Sequence, residues 1–235
     1  MKDTWRRILD QSRPHGWVVE PLALELLGGA GLAVADFAWV RDIDEAAAAA
    51  ARFGYPVVAK VVSPAVLHKS EVNGVEVDIA NPETLGRVFE RFAGLEGFDG
   101  MVVAEMVAGV ELIVGARIDY QFGPVVLVGL GGITAELFRD TRIRMAPLGE
   151  ADVAAMLAEL QAAPLLTGFR GRPGVDMQGL RRLLLDFSGL VVEMADEIES
   201  IDLNPVICNP ERCVVADARI MLTRDEERGT RDERT

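Results

Sequence analysis

The sequence predicts an α/β chain made of two α+β lobes, and three observations carry that expectation. Hydrophobic patterns of helical and of strand period alternate along the chain, which excludes an all-helical or an all-β fold. A length of 235 residues, 50% of them hydrophobic, suffices for one large domain or for two small lobes with real cores. An apolar strand over 101–106 gives way to the small-residue turn Ala108-Gly109, and the stretch Glu105–Gly109 is where two lobes would meet.

Pro21 suits the first turn of a helix over 21–27, which the run Gly28-Gly29-Ala30-Gly31 stops. Residues 32–40 read as a short strand. Asp42 or Asp44 caps a helix through the alanines at 46–51, and Gly54 ends it. The run Pro56-Val-Val-Ala-Lys-Val-Val62 is β-rich with a single lysine inside it, and Ser63-Pro64 breaks it. Strand alternation returns at 74–79, an amphipathic helix follows at 82–95, and 101–106 is a buried strand. Residues 112–118 and 124–128 form a strand pair around a turn at 119–123. Helices are predicted at 149–160 and 176–198. A hairpin of 200–208 with 213–221 turns at Asn209-Pro210-Glu211-Arg212. Residues 223–235 alternate acid and arginine with no apolar face, which predicts a disordered charged tail. The expected organisation is an N-terminal arm over 1–15, a first lobe over 16–106, a second lobe over 107–222 and the tail.

The formal net charge is −13, from 37 acidic against 24 basic residues. A surface so acidic repels phosphate backbones, which excludes nucleic acid as the main partner. No run approaches about 18 apolar residues, so no membrane span is predicted. Lys2, Arg6 and Arg7 lack the apolar stretch that follows the basic start of a signal peptide. Two cysteines, Cys208 and Cys213, are too few for a secreted disulfide scaffold and point to a reducing cytoplasm. Without further thiols or histidines beside them they read as small hydrophobes, not zinc ligands. The basic residues are unevenly chosen: all but Lys2, Lys60 and Lys69 are arginine, and the only histidines are His15 and His68. Lys60, His68 and Lys69 therefore cluster in a chain that otherwise avoids both types.

A P-loop pattern is absent, and Gly129-Leu-Gly-Gly132 lacks the third glycine of a dinucleotide fingerprint, so by itself it reads as a tight turn. Lys60 is more telling. A lysine within an apolar strand loses solvation and is tolerated where it meets an anion, or else where an edge strand lets it reach water. The following segment, Ser63 to Val75, is a polar loop with cationic and hydroxyl donors at Lys69 and Ser70, of a kind that folds over phosphate. Imidazole is nucleophilic near neutral pH, so His68 in that loop is a candidate phosphoryl carrier, set against the reading of a solvated loop histidine. In Asp202-Leu-Asn204, period-two alternation puts Asp202 and Asn204 on one strand face, with Asp217 able to oppose them across the hairpin. Two carboxylates and an amide oxygen suit Mg²⁺, although a lone polar hairpin face looks the same in sequence.

Several of these segments together resemble the ATP-grasp part of the ADP-forming acyl-CoA synthetases, which exists in separate form as the β subunit of ADP-forming acetate–CoA ligase. The resemblance begins with Val19-Glu-Pro-Leu-Ala-Leu-Glu-Leu-Leu27 and runs through Gly54 to Val75, including the Leu67-His-Lys-Ser70 block. It continues in Val110-Glu-Leu-Ile-Val-Gly115, Gln121-Phe-Gly-Pro-Val-Val126, Gly129-Leu-Gly-Gly-Ile133 and Arg144-Met-Ala-Pro-Leu148. It ends in Leu166 to Pro173, Ile201-Asp-Leu-Asn-Pro205 and Asp217-Ala-Arg219, covering residues 16 to 222. The family often has glycine where this chain has Asn73, a residue that also tolerates positive φ.

The resemblance implies an ATP-grasp fold whose two lobes close on ATP or ADP with Mg²⁺. Lys60 would contact the phosphates, with Lys69 and Ser70 in the same loop. Glu105 would sit by the adenine, backbone groups of Met106 and Val107 would read its edge, and Glu111 would hold the ribose hydroxyls. Gly131 and Gly132 would let a loop approach the phosphates, and Arg144 would face phosphate. Asn204 and Asp217 would hold Mg²⁺, with Asp202 beside them, and His68 would be the family's second phosphohistidine. The implied reaction is acyl-CoA + ADP + phosphate ⇌ carboxylate + CoA + ATP, shared with a CoA-binding α subunit that carries its own phosphohistidine, in an α2β2 heteromer. A succinyl-CoA synthetase-like or other ATP-grasp ligase, and an inactive ATP-grasp binding subunit, are the competing expectations.

Overall fold

A computed structural model describes residues 3–132 and 140–223. In chain order the first elements are α1 (Asp3–Ser12), β1 (Trp17–Val18), α2 (Glu20–Gly29), β2 (Phe37–Val40), α3 (Ile43–Phe53), β3 (Val57–Val61) and β4 (Val75–Ile79). There follow α4 (Pro82–Ala93), β5 (Met101–Glu105), β6 (Val110–Asp119), β7 (Gly123–Leu130) and β8 (Thr141–Met145). The last are α5 (Glu150–Glu159), α6 (Ala163–Thr167), β9 (Gly168–Phe169), β10 (Arg172–Pro173), α7 (Met177–Glu193), β11 (Ile198–Cys208), β12 (Cys213–Val215) and β13 (Ala218–Leu222). The chain divides into two compact units, the smaller made of residues 19–21 and 35–107 and the larger of the rest.

The smaller unit is an antiparallel sheet ordered β2-β5-β3-β4. Its inner strands β3 and β5 are apolar runs because both of their faces are covered, whereas the edge strand β4 exposes Val77 and Asp78. Asp42 caps α3 by accepting from Glu45 N at 2.8 Å, which decides between the two aspartates, and Asn81 caps α4 by accepting from Thr84 N at 2.9 Å. Ala46 and Ala50 of α3 and Leu85, Val88 and Phe92 of α4 join Val57, Ala59, Val61, Met101 and Val103 of the sheet in one core. Phe89 and Phe98 meet edge to face with centroids 5.7 Å apart.

The larger unit is built on a seven-stranded sheet, ordered β1-β13-β11-β6-β7-β8, with β12 also paired to β11. The long strand β11 is its spine, antiparallel to β6 on one side and to β12 and β13 on the other. Helix α7, capped by Asp176 accepting from Gly179 N at 2.9 Å, buries Leu180, Leu184, Phe187 and Val191 and packs on β6, β7 and β12. Cys208 and Cys213 pair directly across β11 and β12 and are both buried. Their mutual hydrogen bond and the burial push the Cys208 thiol well above its ordinary range, in keeping with inert packing.

Several boundaries differ from the sequence reading. The 1–15 arm contains α1, whose Trp5, Ile8 and Leu9 are buried within the larger unit. Residues 32–40 do not form one strand: Val34 bridges Val215 in the larger unit, while β2 starts only at Phe37 in the smaller. Residues 22–34 accordingly group with 108–223 and not with the first lobe expected over 16–106. The helix expected over 176–198 stops at Glu193, because Ile198 is already the buried first residue of β11. Strand β8 was hidden by its charges, Arg142 and Arg144, and by two exposed apolar residues, Ile143 and Met145. Of the tail expected over 223–235, Thr223 is buried and donates its N–H to Glu197 O at 3.0 Å; residues 224–235 lie outside the described residues, as does Ile133. Among the described residues no helix is long and apolar enough to cross a membrane.

Phe92 is fully buried at the centre of the smaller core. Phe92→Ala is expected to cost about 3–5 kcal/mol of unfolding free energy, measured by denaturant titration. A loss under about 1 kcal/mol would contradict the packing described.

Candidate functional site

Lys60 lies on the inner strand β3, in register with Val75 and Val102, and is 6% exposed. The edge-strand alternative is therefore excluded, and the anion that such a lysine needs is present within the same unit. Glu20, the first residue of α2, accepts a hydrogen bond from Lys60 Nζ at 2.6 Å and is also paired with Lys69. A carboxylate at a helix N-terminus is favoured by the helix dipole. Glu20 is the member of this cluster to which the sequence gives no role. The signal for it was the buried lysine itself, which requires a buried acid, but the spacing between them names no partner.

The loop after β3 closes tightly on the strand. Gly74 N donates to Lys69 O at 2.7 Å and Val61 N donates to Gly74 O at 2.8 Å. A Cβ at Gly74 would lie 2.5 Å from Val61 Cγ1, so glycine is required there. Asn73 has φ of 52° and ends the short 3-10 turn Lys69–Val72, the left-handed position expected of it. His68 sits at the start of that turn, exposed, with Ser70 also exposed and Lys69 half-buried. Elsewhere in the unit, Glu105 ends β5, accepting from Asp36 N at 2.9 Å and donating its own N–H to Asp36 O at 3.0 Å. Glu105 lines a cavity of about 400 Å³ with Asp36, Phe37, Arg52 and Phe53. Beyond it, Met106 is exposed and Val107 is buried.

The larger unit brings Glu111, Gly131 and Gly132 together. Gly131 N donates to Glu111 O at 2.8 Å, and a Cβ at Gly131 would stand 3.1 Å from that carbonyl. Gly132 has φ of 70°, and a Cβ there would meet Glu111 Oε2 at 3.0 Å. These two glycines thus permit a close backbone approach. Arg144, expected to face phosphate, is paired within the unit: its Nη2 donates to both carboxylate oxygens of Glu159 on α5, at 2.8 and 3.0 Å. Glu159 also pairs with Arg142, at 3.5 Å, so this acid serves two arginines of β8.

Asp202, Asn204 and Asp217 come together where the β11–β13 ladder ends. Asp202 is opposite Arg219, whose Nη2 lies 3.3 Å from Asp202 Oδ2. Asn204 N donates to Asp217 O at 3.2 Å, so it is Asn204 that Asp217 opposes directly. Burial holds the Asp202 carboxyl above the usual range, Arg219 pulls it down, and the charge of Asp217 pushes it up. Among the described residues no three His, Cys, Asp or Glu side chains form a metal cluster. Two carboxylates with an amide oxygen beside them nevertheless fit a hard divalent cation that keeps water and phosphate in its shell.

A raised folded-state pKa means that the ionised Asp202 opposes folding, so the metal-free chain loses this part of its stability as pH rises from the unfolded-state pKa through the folded-state one. Asp202→Asn is expected to raise Tm at pH 7 and to give no gain at about pH 3, where both forms are neutral. A lower Tm at pH 7 would mean that the pair with Arg219 outweighs burial.

The sequence profile of the ATP-grasp domain family matches residues 10–222. The chain is 36% identical over 226 residues to the β subunit of ADP-forming acetate–CoA ligase I of Pyrococcus furiosus, covering 92% of this chain and 97% of that subunit. It is 37% identical over 214 residues to the ADP-forming acetate–CoA ligase I of Archaeoglobus fulgidus, covering 88% of this chain and 31% of that longer protein. Among solved structures, the acetyl-coenzyme A synthetase 1 of Ca. Korarchaeum cryptofilum matches with a TM-score of 0.81 and 38% identity, covering 93% of this chain and 99% of that one. That structure contains coenzyme A and Mg-AMPPCP, with a phosphohistidine segment pointing towards the nucleotide binding site. The chain belongs to the ATP-grasp family, in the group formed by the ADP-forming acyl-CoA synthetases.

Proposed function

We propose that the chain is the nucleotide-binding subunit of an ADP-forming acyl-CoA synthetase, acting in the cytoplasm with a CoA-binding α subunit as an α2β2 heteromer. The observation that carries this is the buried Lys60 and the half-buried Lys69 meeting at one carboxylate, with Lys69 next to His68 on a loop closed by Gly74, in a chain that covers 97% of a separate β subunit. The overall reaction is acyl-CoA + ADP + phosphate ⇌ carboxylate + CoA + ATP. On the partner, phosphate displaces CoA from the thioester, and a histidine there takes the phosphoryl group from the acyl phosphate, releasing the carboxylate.

Within this chain, His68 receives that phosphoryl group and passes it to the terminal phosphate oxygen of ADP. In the reverse direction an imidazole nitrogen lone pair forms the N–P bond while the bridging P–O bond of ATP breaks, ADP leaves, and the other ring nitrogen gives up its proton. Such transfer depends on positioning and charge neutralisation. Lys60 and Lys69 supply positive charge for the phosphates, and Ser70 and the main chain around Gly131 and Gly132 supply hydrogen-bonding groups. Glu105, with the backbone of Met106 and Val107, takes the base, and Glu111 takes the ribose hydroxyls. Asn204 and Asp217, with Asp202, would hold Mg²⁺, which supplies charge neutralisation at the phosphates. Arg144, whose Nη2 is paired with Glu159, would offer its remaining N–H donors to phosphate.

Incubated with Mg·ATP, the chain is expected to gain an acid-labile phosphoryl group on His68 that is lost in His68→Ala, read by mass spectrometry at neutral and acid pH. ATP binding without any phosphohistidine would remove the relay role of His68. No binding of ATP or ADP would favour an inactive ATP-grasp subunit instead.

A further inference from the structure

Glu20 has no part in the phosphate chemistry above, yet two of the chain's three lysines meet at its carboxylate. It is 5% exposed at the first position of α2. One oxygen accepts from Lys60 on strand β3 at 2.6 Å, and the other is paired with Lys69, the residue that directly follows His68. A single buried charge therefore joins the start of a helix, an inner strand and the loop that carries the histidine.

Two ammonium groups at one point repel each other, and burial raises the cost of both. A carboxylate that bridges them offsets both effects and leaves the trio with one net positive charge. An acid that reached Lys60 alone would neutralise the strand but leave the loop untied. The base of the loop is held by main-chain bonds, Gly74 N to Lys69 O and Val61 N to Gly74 O. The side chain of Lys69 reaches from that base to Glu20 and so fixes the end of the loop next to His68.

We propose that Glu20 is a positioning residue for phosphoryl transfer: it fixes Lys60 and Lys69 relative to each other and thereby holds His68 in place while phosphates are bound. This rests on the reading of Lys60, Lys69 and His68 as the phosphate-handling residues. Glu20 does not touch the reacting atoms, so its removal slows the transfer and does not weaken binding. Without its charge the lysines carry a second net positive charge, which favours a nucleoside diphosphate, while His68 loses its tether. Misplacement of a reacting group by about 1 Å costs on the order of 100-fold in rate.

The test compares the full chain with Glu20→Gln and Glu20→Asp by two readouts, the calorimetric affinity for Mg·ADP and the single-turnover rate of His68 labelling by Mg·ATP. Glu20→Gln is expected to bind ADP as tightly as the parent or up to about tenfold tighter, and to label His68 at least about tenfold more slowly. Glu20→Asp keeps the charge but is one methylene short of bridging both lysines, so it is expected to bind normally and label at an intermediate rate. An unchanged labelling rate in both variants overturns the proposal, as does an affinity lost in step with the rate, the pattern of a merely structural residue. Should Glu20→Gln fail to fold, Glu20→Asp decides on the same two readouts. Parent chain that binds and labels while the variants match it refutes the role of Glu20 alone. Parent chain that binds no nucleotide, or binds it without labelling His68, refutes the underlying reading and this proposal with it.

Discussion

A lysine inside a sheet must have its charge met, and much of the smaller unit is organised by how Lys60 meets that condition. Leaving a buried charge unpaired costs about 3–5 kcal/mol, a large part of what holds a domain folded. The acid that meets it, Glu20, stands forty positions earlier and opens α2, so residues 19–21 group with the unit formed by 35–107 while the rest of that helix does not. The same carboxylate takes in Lys69, which converts a requirement of folding into an arrangement of the loop that carries His68. The nucleotide chemistry proposed for this chain would use the two cations that the fold brings together.

The larger unit reaches its arrangement by backbone geometry more than by charge. The Gly131-Gly132 turn runs so close to Glu111 that a Cβ would crowd its main chain at Gly131 and its carboxylate at Gly132. The ladder between β11 and β6 changes register between Leu203 and Val206, and Asn204, whose N–H donates to Asp217 O on the other side of β11, lies in that interval. Irregular ladders of this kind recur where a strand must aim a side chain away from the sheet's ordinary alternation. Nearby, burial disfavours the charged form of the Asp202 carboxyl. A cation there would turn that electrostatic tension into affinity.

What the sequence revealed and what it hid follow from the range over which each interaction acts. Asp42, Asn73 and Gly54 act on their own turn, so local rules locate them. The chemistry of Lys60 was legible because a charge among apolar neighbours is anomalous wherever the chain folds. Its partner was not, since periodicity carries no information about which distant acid will arrive. The same limit hid the pairing of Arg144 with Glu159, which leaves that arginine engaged where phosphate contact was expected. Residues 32–40 misled for a different reason: a single apolar run serves both units, with Val34 in one sheet and Phe37 in another. Helix α1 was overlooked although Trp5, Ile8 and Leu9 have helical spacing, because basic residues interrupt the pattern.

The central claim is that the phosphates of a nucleotide are met by Lys60 and Lys69. With only three lysines in the chain, amine-selective acetylation followed by peptide mass spectrometry reads each of them separately. The account predicts that ADP slows modification of Lys69 and Lys60 and leaves Lys2 unchanged. Equal rates at all three lysines with and without ADP, under conditions in which ADP is bound, would contradict it.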